Sequence, residues 1–443
     1  MLRKVFDWKA FDPNVNRVRP LNDFFETVDA IARPYIALLF GPQLSLNFSS
    51  ALSAVATPAL LFGWLRRILA SQITAIFLLL IFLSSTGFLS LEVSYWHPAK
   101  KLNLAFFCAA LYFAERTARS ERGPNFLLLS LSLLASFFSD ELGLGNFATI
   151  LVLYWSTILR SGRTAFNYFL LPLIFVSTAK FLLPLMYAKL GDTGYWNAMA
   201  DIKKFTVFGH LFTIEFQVDN IIQLSRSILS TVGVATHTAI TETICILIFI
   251  GATVAQGLRS NVHHLRNLAS DNFIQSAVAL VLGSGYATLL DWYPFPYEVS
   301  YLGSFNYYYH SATVVLVIVW LAYGLRAFDL HHHHFSIGVV SICVAYLNFG
   351  MFRLVNELVQ IVHYYPYSVA DLRAAIRNPE RTILPSADQQ DQKFENDLKA
   401  VFGDQWNGNG FYRTHQMLKS TPLTTAASIK LMQHIFSPWQ PNH

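Results

Sequence analysis

Ser139-Asp140-Glu141 stands in a short turn between two apolar runs. Two adjacent carboxylates at such a boundary are costly unless they face water, a cation or a partner. Ser139 and Asp140 suit a helix cap, because a short polar side chain there bonds the free amides of the next helix. A negative charge at that end also suits the helix dipole. Glu141 exceeds what a cap needs and is read as a functional acid.

A second polar stretch, residues 7–26, holds Asp7, Asp12, Arg17, Arg19, Asp23 and Glu26 among aromatic residues. Its acids could bind a divalent cation or remove a proton. Arg19 could hold a phosphate by paired hydrogen bonds. The stretch is otherwise an ordinary extramembrane segment. A third feature, residues 292–310, is dense in tyrosines, including Tyr297 and Tyr301. Aromatic side chains anchor helices at a membrane interface, and a lipid-linked substrate entering sideways would need the same surface. Lys180 and Glu242 fall inside apolar runs, where a charge is a functional candidate by default. Lys180 can snorkel, and Glu242 can bond across helices. The tract His331 to His334 is read as a loop, and the three cysteines, none in a CxxC pair, indicate neither disulfide nor zinc.

These side chains need elements to position them. Hydrophobic residues make up 53% of the chain and charged residues 13%, against about 25% charged in a soluble domain. Apolar runs approach the ~20 residues that cross a bilayer as helix, and they lack the alternation of a membrane barrel. The reading is an all-α integral membrane protein of about ten transmembrane helices. The spans are 44–66, 68–90, 103–114, 124–139, 143–160, 166–188, 228–256, 273–291, 311–325 and 335–352, with the third short enough to extend at either end. Residues 353–364 form a half-span or an interfacial helix. An extramembrane segment, 1–43, precedes this bundle of 44–364, and a small soluble tail, 365–443, follows it. The net charge of +5 comes without a Lys/Arg block, so nucleic acid is not an expected partner.

Alternate loops carry Arg66 and Arg67, Arg116 to Arg122, Arg160 and Arg163, Arg259 and Arg266, and Arg326. Short basic loops face the cytoplasm. Residues 91–102, 139–142, 189–227 and 292–310 then face outward, as do both termini. Residues 1–43 contain no apolar run that would carry the N-terminus across, so this topology expects either a further span before residue 1 or a different assignment of the start.

Arg19-Pro20-Leu21, then Leu38-Leu39-Phe40-Gly41-Pro42, Leu46-Asn47 and Leu65-Arg66-Arg67 resemble the opening of GT-C membrane glycosyltransferases. Residues 134–141, running into Leu151-Val152-Leu153-Tyr154, are similar to that family's "LLSKE … LLLY" segment, with Asp140 where the family has Lys. The likeness covers about residues 7–160. It implies a sugar transferase in a bacterial inner membrane, using a polyprenyl-phosphate sugar donor on the non-cytoplasmic face. It further implies a first-loop catalytic or metal-linked acid, for which Asp7 and Asp12 are the candidates, and a second acid at Glu141. Arg19, Asp140, Tyr297 and Tyr301 are the substrate-binding candidates, and Mg or Mn the candidate cofactor. Membrane lipid and envelope proteins are the other expected partners. A non-catalytic subunit of an envelope assembly with the same architecture, and a transporter or flippase of lipid-linked sugar, are the competing readings.

Overall fold

Apolar runs with no strand-like alternation fold as helices, since a helix satisfies every backbone amide within its own segment. A computed structural model describes residues 21–22, 24–25, 28–29, 48–93, 98–120, 123–140, 142–175, 178, 239–259, 271–292 and 311–346. Among the described residues there is helix and no strand. The helices are α1 Phe48–Ile68, α2 Gln72–Ser84, α3 Thr86–Val93, α4 Pro98–Ser120, α5 Gly123–Ser139, α6 Leu142–Leu153, α7 Trp155–Ala165, α8 Ala239–Arg259, α9 Asn272–Trp292, α10 Ser311–Ala327 and α11 His334–Tyr346. By length and composition α1 can cross a membrane, and α6 with the helical segment Trp155–Phe175, bent against it, passes the same test as one unit.

Helix α4 packs against α1 and α5, and α6 packs against α9, which in turn packs on α10. Helix α10 also touches α1 to α4. Its run Val314 to Val319 is buried on every side. β-branched residues lower helix propensity only slightly, and enclosure by neighbouring helices outweighs that preference here.

Several boundaries differ from those read in the sequence. The run 68–90 breaks at Ser85. The Ser85 hydroxyl donates to Phe82 O at 2.6 Å and accepts from Phe88 N at 3.3 Å, ending one helix and starting the next. Helix α4 begins at Pro98, inside what the sequence presents as the outer loop 91–102, and runs on to Ser120. The run 143–160 bends by 98° between α6 and the following helical segment Trp155–Phe175. Tyr154 sits at that elbow, where its hydroxyl accepts from Trp64 Nε1 at 2.8 Å and donates to Glu115 Oε2 at 3.4 Å. Residues 161–165, expected as loop, are part of α7, with Gly162 at a φ of 46° that favours glycine.

Candidate functional site

The helix ends divide the charged residues into two groups. The N-termini of α1, α4 and α6 and the C-termini of α3 and α5 meet at one end of the bundle. The C-termini of α1, α4 and α10 gather Arg66, Arg67, Arg119 and Arg326 at the other. The side-chain chemistry of the first end centres on Lys100 and Lys101.

Pro98 is well suited to open α4, because its fixed φ matches a helix and its missing N–H is not needed there. Lys100 and Lys101 therefore fall in the first turn of α4. Both are buried, with 4% and 1% exposure. A cation in that position opposes the helix dipole, and burial adds the loss of hydration. Two such residues together are compensated by specific partners. Lys101 Nζ donates to Ser50 Oγ at 2.6 Å and to Glu92 O at 2.7 Å. Lys100 Nζ faces Asp140 Oδ1 at 3.9 Å.

Glu92 ends α3 beside them. Its Oε1 accepts from the Ser53 hydroxyl at 2.9 Å. Burial raises its carboxyl above the ordinary value of 4.5, against the opposing pulls of Lys101 and of the Ser53 hydrogen bond. Asp29 caps α1, with Oδ1 accepting from Ser49 N at 2.8 Å and Oδ2 from the Ser49 hydroxyl.

Asp140 has two roles. Its Oδ1 accepts from Leu142 N at 3.0 Å, the capping role expected from the sequence. The same carboxylate confronts Lys100 and lies near Tyr286 of α9. Two features hold this turn in place. A Cβ on Gly143 would fall 2.6 Å from Phe137 N, so only glycine lets α6 start this close to α5. Beneath the turn, Asn103 Nδ2 donates to Ser136 O at 3.0 Å and to Ser136 Oγ at 2.9 Å. Asn146 Nδ2 donates to Asn103 Oδ1 at 2.8 Å, which ties α4, α5 and α6 together.

Of the residues singled out in the sequence, Asp140 is in this cluster. Asp7, Asp12, Arg19, Glu141, Lys180, Tyr297 and Tyr301 lie outside the described residues. Glu242 lies in α8. Lys100, Lys101, Glu92, Asn103 and Asn146 were not anticipated. The available signal was Pro98, which marks a helix start and so puts the two lysines in a first turn rather than in a loop.

The chemistry of this end suits an anion. Its ammonium groups could neutralise a phosphate, and its carboxylates could orient a hydroxyl. The acids that the resemblance links to Mg or Mn, Asp7, Asp12 and Glu141, lie outside the described residues. A different group, Asp329, His331 and His332, has ligand atoms within 4.8 Å of one another and could hold a metal ion. It lies in the turn after α10, at the arginine-rich end. No family model, curated protein or solved structure matches the chain.

Proposed function

We propose that this chain is a polytopic membrane glycosyltransferase of about ten spans, moving a sugar from a polyprenyl-phosphate donor to an acceptor on the non-cytoplasmic face. The observation that carries the reading is the buried pair Lys100 and Lys101, set at the start of α4 against Asp140 and Glu92.

Support for the membrane begins with the distribution of polarity. Val55, Ile76, Leu131, Phe175, Leu247 and Val281 are exposed, whereas Ser53, Thr57, Ser130, Thr149 and Ser284 are buried. Small and hydroxyl-bearing residues between helices, with apolar residues facing outward, suit a bundle surrounded by lipid. Helix α7 begins Trp155-Ser156-Thr157 and exposes Arg160 and Arg163, as suits a helix lying along the interface before the chain turns back.

Support for transfer is electrostatic. The acceptor oxygen bonds to the anomeric carbon as the bond from that carbon to the phosphate oxygen breaks. The electron pair leaves with the polyprenyl phosphate, and the acceptor proton passes to a carboxylate. Positive charge builds on the sugar and negative charge on the leaving phosphate. Lys100 and Lys101, held at this end by Asp140, Ser50 and Glu92 O, would supply positive charge to the phosphate, and the carboxylate roles fall to Glu141 and to Asp7 or Asp12. Preset ammonium groups in a site closed to water act more strongly than in solution.

The deciding experiment is transfer of labelled sugar from a panel of polyprenyl-phosphate sugars by purified protein in lipid nanodiscs. Activity in the wild type that falls at least about a hundredfold in a stably folded Lys101→Gln variant supports the reading. A wild type inactive with every donor favours the scaffold. Net movement of intact lipid-linked sugar between leaflets would instead make the chain a flippase.

A further inference from the structure

Helices α1, α4 and α10 end around a cavity of about 350 Å³ lined by Arg66, Arg67, Arg119, Arg326 and His331. Basic residues at helix C-termini are ordinary, because they complement the dipole. Convergence of four guanidinium groups on one cavity is different, since each raises the cost of the next unless an anion is present. Among the described residues, the carboxylate paired with any of them is Glu115, whose Oε1 lies 2.9 Å from Arg119 Nε.

The cavity wall is built rather than loose. Arg67 lies over the Tyr112 ring at 4.2 Å from its centre. It also donates to Tyr112 Oη at 3.1 Å and to Gly63 O at 2.9 Å. Arg119 donates to Arg67 O, joining α4 to α1. His331 Nδ1 is buried without a hydrogen bond and faces Asp329 Oδ1 at 3.6 Å.

We propose that this pocket binds a phosphate group. Planar guanidinium groups match phosphate oxygens in pairs. The volume exceeds a bare phosphate and accommodates the glycerol of an anionic phospholipid headgroup as well. This end is the basic side that the alternating loops assign to the cytoplasm, where anionic lipids attract clustered Arg residues. Donor phosphate would bind at the opposite end, beside Lys100 and Lys101, so this is a separate site.

The test uses the full chain in phosphatidylcholine nanodiscs, with EDTA present so that no metal on Asp329, His331 and His332 bridges the anion. One arm titrates phosphatidylglycerol into the disc. The other adds inorganic phosphate to pure phosphatidylcholine discs at constant ionic strength. Melting temperature and native mass spectra are recorded for wild type and for the Arg66→Gln/Arg326→Gln variant, which leaves the contacts of Arg67 and Arg119 in place. We expect at least a tenfold loss of apparent affinity in the variant. A response to lipid alone identifies a headgroup site, and a response to both identifies a site for the phosphate itself. An equal response in wild type and variant, or none in either arm, overturns the proposal. Sugar transfer does not enter the readout, so failure here and failure of the transferase reading are told apart.

Discussion

Lys100 Nζ lies 3.9 Å from Asp140 Oδ1, with both side chains buried. The pair joins the first turn of α4 to the turn between α5 and α6. Breaking a buried pair by removing one partner strands the other charge, at a cost of about 3–5 kcal/mol. Loss of a cap alone costs about 1 kcal/mol. Asp140→Ala should therefore destabilise well beyond a cap, and Lys100→Met combined with Asp140→Ala should recover a large part of that loss. Denaturation of the single and double variants in detergent provides the cycle. Additive losses would show that the two charges do not interact.

Glu92 gives a pH dependence whose sign is fixed by its surroundings. Burial raises its carboxyl above 4.5 in the folded protein. The folded state thus holds the proton over a range in which the unfolded chain has released it. Stability falls as pH rises from about 4.5 to the raised value, and this contribution is flat above it. Glu92→Gln should remove that slope while keeping an acceptor for the Ser53 hydroxyl. Melting temperatures of wild type and variant across acidic pH should converge at the lowest pH and separate above it, with the variant the more stable.

Gly143 and Gly251 form a contrasting pair. A Cβ at Gly143 meets the backbone of Phe137 at 2.6 Å, whereas one at Gly251 meets nothing within 4 Å. Gly143→Ala should cost about 1–3 kcal/mol by forcing α6 away from α5, and should disturb the Lys100–Asp140 pair. Gly251→Ala, in α8, should be neutral or stabilising by up to about 1 kcal/mol through helix propensity. Thermal melts of the two variants, made side by side, decide the matter. An unaffected Gly143→Ala protein would mean that the turn has room to relax.

The helical class was legible because the apolar runs are long and unalternating, and α10 was placed within two residues of its end despite its β-branched core. Features created by single side chains were not legible in this way. Hydropathy does not register that Ser85 closes one helix and opens the next, or that Tyr154 is gripped by Trp64 and Glu115 at a 98° elbow. Hydropathy also counts Lys100 and Lys101 as loop residues, because it measures the polarity of a side chain and not whether a partner awaits it. The capping role of Asp140 is local in sequence and was readable. Its partnership with Lys100 spans forty positions and was not.

Glu141 follows this anchored turn directly, and its carboxylate should matter to activity in a different way from that of Asp140. Glu141→Gln preserves size and hydrogen-bonding capacity while removing charge. If Glu141 acts on the reacting groups, its loss should slow sugar transfer about a hundredfold or more, with little change in melting temperature. Asp140→Asn should do the opposite, lowering stability first because the buried Lys100 then loses the charge of Asp140, with activity following the fraction folded. Normalising transfer rates to folded protein separates the two. A Glu141→Gln enzyme with undiminished rate would remove that residue from the mechanism. It would leave the proton of the acceptor to Asp7 or Asp12, whose Asn variants would then carry the test.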